Sequence, residues 1–249
     1  MHRFAGLLAA IFVFPSLGSA QLVTSNQHVF PWFVDGRVAP GSGYRTELVI
    51  SNPNFVFANC SLQLGGLTAR FENLSGPIPG ASAILNIAVF PAGYEVIRTQ
   101  AAQPLGTGYG ILNCSTDVYV TERFSFFTGD NVSSPVAEAA VPSSFGDTSV
   151  EYIYDHRNGA RLGIALANPY STPAVFSLNV LGSVTGTWYV SVPAATVVTR
   201  FLDEWVPLPA NATGKVVISD YFSSRSVYSI GLKYTGQSFS AVFPNVRVP

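Results

Sequence analysis

The sequence predicts an all-β protein in which two tandem immunoglobulin-like antiparallel β-sandwiches follow a signal peptide. Three observations lead to this prediction: an N-terminal apolar segment of secretory type, an internal repeat, and short alternating apolar segments in both copies of that repeat. The predicted boundaries are 1–20 for the signal peptide, 21–142 for the first sandwich and 145–249 for the second.

The first 20 residues have the pattern of a secretory signal peptide. Arg3 supplies a positive charge, Phe4–Phe14 is an apolar run of 11 residues, and Gly18-Ser19-Ala20 places small residues before a cleavage site. A membrane-spanning helix needs roughly 20 apolar residues, so we expect no transmembrane segment in the mature chain. The protein is therefore expected to be secreted, periplasmic or held at the cell surface.

An internal repeat defines the two predicted sandwiches. Tyr44–Gly66 aligns without gaps with Ala160–Gly182, at an offset of 116 and with seven identities. Further along, residues 89–99 align with residues 192–201. The aligned pairs include Arg45 with Arg161, Arg98 with Arg200, and Asn52 with Asn168, which are interpreted as duplicated structural residues. Each copy is a little over about 100 residues, which is the size of a single domain rather than of a solenoid repeat.

Within each copy the residues favour β-structure. Short β-branched or aromatic segments alternate with polar residues, and Asn-Pro, Gly-Gly, Pro-Ala and Thr-Gly turns separate them at intervals of about ten residues. Only residues 201–205 favour a single helical turn after the signal peptide. The sequence has no Cys–Trp–Cys spacing of the antibody type, so strand number and length alone predict the immunoglobulin-like form.

Several stretches resemble an uncharacterised tandem repeat of exported bacterial proteins. Phe33-Val34-Asp35-Gly36 opens a strand that leads to Asn52-Pro53, and the second copy contains RFLDEW at 200–205 and VYSIGLKYT at 227–235. The first copy departs from this pattern, because IRTQAAQ stands at 97–103. The resemblance implies a secreted structural or surface module built from β-sandwiches, and it carries over no catalytic residue.

The two cysteines suggest a disulfide. Cys60 and Cys114 are the only cysteines, and exported compartments allow them to pair. The alternative is two separate buried thiols. Metal binding has no support in the sequence, because it contains neither CxxC nor HExxH. We expect no metal and no cofactor.

Composition and charge exclude some functions. Only 11% of the residues are charged, and 13 basic residues stand against 14 acidic ones. A nucleic-acid-binding protein normally carries a basic excess that neutralises phosphates, so no nucleic-acid partner is expected. His28 and His156 have no neighbouring pattern of a nucleophile and an acid, so we assign no catalytic residue.

Two sets of residues could bind a ligand. The paired arginines (Arg45, Arg161, Arg98, Arg200) either stabilise turns and strands or form a duplicated pair of ligand-binding guanidinium groups. Trp32, Trp188 and Trp205 either pack in the core or form a platform on which sugar rings stack. Asn52 and Asn168 precede prolines and are interpreted as turn residues.

The sequence therefore favours an exported, non-enzymatic structural, adhesive or scaffold module. Its partners would be other extracellular proteins or a polysaccharide. The alternative function is a carbohydrate-binding module that uses exposed aromatic side chains. An extracellular hydrolase is the least supported hypothesis.

Overall fold

A computed structural model describes residues 24–129, 134–144, 146–222 and 224–246. The predicted signal peptide at 1–20 lies outside these residues. Strands make up 69% of the structure and helices 3%, and the sheets are antiparallel, which confirms the predicted all-β class.

The strands before residue 144 are termed the first unit. They are β1 (Ser25–Ala39), β2 (Ser42–Ser51), β3 (Ala58–Gly65), β4 (Ala69–Asn73), β5 (Gly76–Ser82), β6 (Ile84–Val89), β7 (Tyr94–Thr99), β8 (Gly106–Thr128) and β9 (Ala137–Pro142).

The elements after residue 146 are termed the second unit. They are β10 (Ser149–Asp155), a 3₁₀ turn (Arg157–Gly159), β11 (Arg161–Asn168), β12 (Ala174–Gly182), β13 (Gly186–Val192), β14 (Thr196–Phe201), α1 (Leu202–Trp205), β15 (Thr213–Asp220), β16 (Tyr228–Thr235), β17 (Ser238–Val242) and β18 (Asn245–Val246).

The first unit is one nine-stranded sheet, in the order β5-β4-β7-β2-β1-β8-β3-β6, with β9 also paired to β8. The long strand β8 joins its parts: residues 106–118 pair with β1 and β3, and residues 119–128 pair with β2 and β9. Because β2 pairs with both β1 and β8, the sheet is nearly closed and barrel-like. The two sheets of the predicted sandwich are therefore joined into one sheet in this unit.

The second unit has two separate sheets. Their strand orders are β13-β12-β15-β10-β18 and β14-β11-β16-β17. Fully buried side chains from both sheets, among them Tyr152, Leu166 and Phe176, form one apolar core. This arrangement follows from strict alternation: on β11, Leu162, Ile164 and Leu166 point into that core.

A separate apolar cluster joins the two units. Its members come from β1, β8 and β9 on one side and from β11, β16 and β17 on the other: Trp32, Val34, Phe124, Ala139, Ala165, Ile230, Leu232 and Phe239. Residues 28–36 of β1 and 162–168 of β11 are consequently buried in unbroken runs. Within these two runs each strand faces its own core on one side and the other unit on the other side, which is why the runs contain no exposed positions.

The motif Phe33-Val34-Asp35-Gly36 stabilises the fold. Asp35 is buried, and its Oδ1 accepts a hydrogen bond from the backbone N–H of Ala101 at 2.8 Å. Burial raises the pKa of this carboxyl, although hydrogen bonds from its partners oppose the effect. Gly36 has a φ of +116°, and a Cβ at this position would lie 2.5 Å from the carbonyl oxygen of Pro104. The motif therefore fixes the segment after β7 against β1.

Candidate functional site

A cleft of about 300 Å³ opens between the two units. Apolar residues of β11 and β16 line part of it, and the other lining residues are of aromatic or polar type: Trp32, Tyr44, Thr199, Arg200, Phe201, Glu204 and Tyr234. The size is at the lower end of the range for small-molecule sites. The cleft brings together two residues that the sequence singled out separately, Trp32 and Arg200.

The first unit contributes the rings of Trp32 and Tyr44. Trp32 is only 6% exposed, and its ring centroid lies 4.9 Å from that of Phe124 and 6.2 Å from that of Tyr44. Its Nε1 is buried and has no hydrogen-bond partner among the described residues. Tyr44 in turn contacts the rings of Phe126 and Phe239, at 4.9 and 6.4 Å. These contacts fix both rings at the edge of the cleft.

The second unit contributes an ordered charged rim. The Arg161 guanidinium lies 3.7 Å from the centre of the Phe201 ring and donates two hydrogen bonds to Asp203 Oδ1, at 3.1 Å from Nε and 3.0 Å from Nη2. The same Nη2 is 3.4 Å from Glu204 Oε1. Arg161 therefore holds the short helix α1, and with it Glu204, at the rim of the cleft.

Tyr234 completes the wall opposite Tyr44. Its ring contacts those of Phe201 and Phe239, at 5.2 and 5.6 Å. Burial, with a smaller contribution from Tyr44, raises the pKa of the Tyr234 hydroxyl. The hydroxyl is thus a neutral hydrogen-bonding group under ordinary conditions.

The structure does not bring the three predicted tryptophans onto one surface. Trp32 lies at the junction of the units, whereas Trp188 and Trp205 pack against the core of the second unit. Trp32 is buried, and Trp188 and Trp205 are half-buried, which favours the alternative that these rings pack against the cores. These rings are the largest apolar groups available to cover the cores, and burial dominates their placement.

Asn52 and Asn168 have the same role in their respective units. Nδ2 of Asn168 donates to the carbonyl oxygens of Thr172, Val192 and Pro193 at 2.9–3.1 Å. Nδ2 of Asn52 donates to three carbonyls in the corresponding loops, those of Val56, Val89 and Phe90. Each side chain also accepts a backbone N–H two residues further on. Both asparagines thus join two loops at one end of their unit.

Replacing Asn168 with Ala should lower the free energy of unfolding by about 2 kcal/mol. The substitution leaves three loop carbonyls without their donor, and at least one of these is buried. Urea unfolding followed by circular dichroism measures the change. Asn86→Ala, at an exposed position on β6, is the matched control and should change stability by less than about 0.5 kcal/mol. Equal effects of the two substitutions would contradict this role.

The repeat alignment that makes Arg98 and Arg200 equivalent differs from the strand register by one position. Arg98 lies opposite Glu47, and the equivalent place in the second unit, opposite Gly163, holds Phe201. Arg98 and Arg123 both form ion pairs with the buried carboxylate of Glu47. Arg200 instead lies opposite Ile164 and lines the cleft.

Arg45 and Arg161 occupy equivalent strands but have different partners. Arg45 lies 3.9 Å from Glu72, and its buried Nε has no hydrogen-bond partner among the described residues. Arg161 binds Asp203 at the cleft. Of the paired arginines, Arg161 and Arg200 are the two that belong to the candidate site.

His28 and His156 are buried inside their units. Nδ1 of His28 is 2.8 Å from Ser143 Oγ, and Nε2 lies near the backbone carbonyls of Ser25 and Val118. Burial lowers the pKa of His28 and also that of His156. A serine next to a histidine is the beginning of a nucleophilic arrangement, but both His28 and Ser143 are buried, and neither lines the cleft.

An exposed apolar surface, not predicted from the sequence, lies at one end of the first unit. We term it the aromatic crown and define it as Phe55, Val56, Phe57 and Phe90. Phe55 is 91% exposed, and the rings of Phe57 and Phe90 are 5.1 Å apart. The repeat alignment contains the signal, because Ser171, Thr172 and Pro173 of the second copy stand opposite Phe55, Val56 and Phe57.

Comparison of the chain with protein-family models, curated proteins and solved structures finds no match. Over the part of the chain that the structure describes, no group of three or more His, Cys, Asp or Glu side chains could hold a metal ion. The helices of that same part are too short and too polar to cross a membrane.

Proposed function

We propose that the protein is an exported, non-enzymatic adhesive module whose copies assemble head to tail, the aromatic crown of one copy binding the second unit of the next. The crown is the observation that carries this proposal. Contiguous exposed apolar side chains are costly in water, and on soluble proteins they usually mark an interaction surface.

The local structure supports a functional reason for the crown. Asn52 is buried and holds the loops that carry Val56 and Phe90 through the carbonyls of these two residues. These hydrogen bonds hold the two loops of the crown in a defined conformation. The equivalent loops around Asn168 carry a serine and a threonine instead, so the shared turn does not require the aromatic side chains.

The second unit offers a matching surface. The rings of Tyr189 and Tyr221 are 5.2 Å apart, those of Tyr221 and Phe222 are 5.0 Å apart, and all three side chains are more than half exposed. We term these three residues the tyrosine cluster. A crown that binds a different surface on the next copy makes a heterologous contact, which generates a ring where the rotation closes and an open chain where it does not. The net charge of −1 offers little repulsion between copies.

We further propose that both units derive from one immunoglobulin-like sandwich. The β2 and β11 positions correspond at an offset of 116, and β7 and β14 correspond at 103. The same offset of 103 relates Ala92 to Ala195, which have nearly equal positive φ values of 50° and 52°. β4 and β5 would then be an addition to the first unit.

The assembly is tested with two variants, Phe55→Ser/Val56→Thr in the crown and Phe222→Ser in the tyrosine cluster. The crown changes introduce the residue types that the second unit carries at those places. Sedimentation velocity on the mature chain should show concentration-dependent oligomers for the wild type and monomers for each variant alone. Mixing the two variants should restore a dimer, because one variant keeps an intact crown and the other an intact cluster.

The mixing experiment separates the possible outcomes. Self-association of the Phe222→Ser variant alone would point to crown-to-crown contact and contradict the head-to-tail arrangement. A monomeric wild type at all concentrations would contradict self-assembly altogether. Ile153→Thr removes an exposed apolar side chain outside both surfaces and should leave the oligomers unchanged.

A further inference from the structure

Each unit has one sheet edge without the features that normally prevent pairing with another chain. The two edges are β6 of the first unit and β13 of the second, and among the described residues each pairs with a neighbouring strand on one side only. Neither strand contains a proline or a charged residue. Soluble proteins usually place such residues on edge strands, because the free backbone groups of an edge pair readily with a strand of another molecule.

The other edge strands of the described structure are protected. β5 contains Pro77 and Pro79, which have no N–H to donate. β14 carries Arg200, β9 and β17 lie against each other at the junction of the units, and β18 has only two residues. The contrast singles out β6 and β13.

The backbone of β6 directs hydrogen-bonding groups outward at Asn86 and Ala88. β3 donates a backbone hydrogen bond to the carbonyl oxygen of Ala83 at 2.7 Å, which fixes the hydrogen-bonded pairs of these two strands. In an antiparallel ladder, every second residue directs its backbone groups to the opposite side, and on β6 these residues are Ile84, Asn86 and Ala88. The backbone of Ile84 is already bonded to the Ser82 hydroxyl. Asn86 and Ala88 remain for a further strand.

β13 presents the corresponding outward groups at Tyr189 and Ser191. Val192 is the counterpart of Val89, because each lies opposite the first residue of the neighbouring strand, β12 or β3. The alternation of the ladder therefore carries over from β6 to β13. The side chains at the outward positions of both strands are exposed, so pairing the two edges keeps the solvent-facing side chains on one face.

We propose that copies of this chain join by strand addition, with β6 of one copy pairing antiparallel with β13 of the next. This inference rests on the proposed head-to-tail assembly and specifies how that contact is made. Ala88 lies opposite Tyr189 and Asn86 opposite Ser191, and each pair exchanges two backbone hydrogen bonds. Phe90 of the aromatic crown directly follows β6, so this register makes it a diagonal neighbour of Tyr189 in the tyrosine cluster.

The buried faces of the two strands also match in this register. Ile87 lies opposite Val190, and Leu85 lies opposite Val192, so each inward-facing side chain has an apolar neighbour in the next copy. Pairing removes no charge from water, because both strands are uncharged. A single sheet then runs from the first unit of one copy into the second unit of the next.

Prolines on the outer edges test the pairing. Asn86→Pro and Ser191→Pro each remove one outward N–H and leave the hydrogen bonds within the unit in place. In sedimentation velocity on the mature chain, each variant alone should associate at least roughly tenfold more weakly than the wild type. Mixing the two variants should restore a dimer, because one keeps an intact β13 and the other an intact β6. Asn86→Ala and Ser191→Ala lose the same side chains but keep the N–H, so these matched controls should associate like the wild type.

Hydrogen–deuterium exchange detects the backbone contact directly. Peptides from β6 and β13 should exchange more slowly at concentrations where the wild type is associated than where it is monomeric, and peptides from β14 should not change. Unchanged exchange of β6 and β13 in associated protein would overturn strand addition. This measurement also decides the question if circular dichroism shows that a proline variant fails to fold.

The outcomes separate strand addition from the assembly on which it rests. Oligomers that are lost in Phe55→Ser/Val56→Thr but persist in both proline variants would support the crown contact and overturn strand addition. A wild type that is monomeric at all concentrations would overturn both. Association of Ser191→Pro alone would indicate pairing of β6 with β6, and association of Asn86→Pro alone would indicate pairing of β13 with β13. Either result would overturn the pairing of β6 with β13.

Discussion

Removing the bridge between Cys60 and Cys114 should lower the free energy of unfolding by about 4 kcal/mol. The structure confirms this disulfide: the two residues lie directly opposite each other on β3 and β8 and are 54 positions apart in sequence. The bond restricts the unfolded chain over that whole loop, and the chain-entropy model relates the stabilisation to the loop length. Urea unfolding of the wild type and of Cys60→Ala/Cys114→Ala measures the difference.

Reductant provides the control for this prediction. Reduction should bring the wild type close to the stability of the double variant, and it should not change the double variant itself. The second unit has Phe176 opposite Asp220 at the equivalent place, so a probe confined to that unit should respond less. A wild type with the same unfolding midpoint with and without reductant would contradict a stabilising bridge.

The class of the fold could be predicted because strands carry a local signal. The alternation on β3 and β6 places Leu62 and Ile87 inward and leaves their neighbours half-buried or exposed, and this period of two can be recognised in the residues alone. The disulfide could be predicted because only two cysteines were available. Neither inference depended on contacts between distant parts of the chain.

The change of partner strands along β8 could not be predicted in the same way. Within β8, residues 106–118 and 119–128 pair with different strands, yet nothing in the residues marks the transition between them. The pairing of Arg98 with Arg200 failed for a related reason. Aligning the prolines at 91 and 193 implies an offset of 102, whereas the strand register gives 103. A shift of one residue exchanges the faces of a strand.

The cleft depends on contacts between the two units, and these have no sequence signature. Tyr44 lies on β2 of the first unit and Tyr234 on β16 of the second, and the two residues line the cleft from different units. Trp32 was singled out for its size and Arg200 for a supposed repeat, and neither reason places them in one cleft. The sequence therefore supplied two members of the candidate site without indicating that they lie together.

Replacing Glu122 with Gln should raise the free energy of unfolding at pH 7 by up to about 3 kcal/mol and leave it almost unchanged at pH 4. Glu122 is 0% exposed, and neither of its carboxyl oxygens has a hydrogen-bond partner among the described residues. It lies on β8 between Leu48 of β2 and Val141 of β9, both apolar and buried. This carboxyl therefore has no compensation for the loss of water.

The sign of the effect follows from protonation in the two states. Burial raises the pKa of Glu122 well above its ordinary value of 4.5, so the folded chain keeps a proton that the unfolded chain loses above that pH. The unfolded state binds fewer protons there, and the stability of the wild type falls by up to about 1.4 kcal/mol for each further pH unit. The loss begins near pH 4.5 and continues until the folded carboxyl also ionises.

The difference between the Gln variant and the wild type isolates this group from other buried groups such as Asp35 and His28, which both proteins share. A neutral glutamine has nearly the shape of the protonated acid, so the two curves should meet at low pH and diverge as the pH rises. Glu138→Gln, on the neighbouring strand β9 with a half-exposed side chain, is the control and should run parallel to the wild type. A Glu122→Gln curve that is also parallel to the wild type would mean that Glu122 is ionised and compensated in the folded protein.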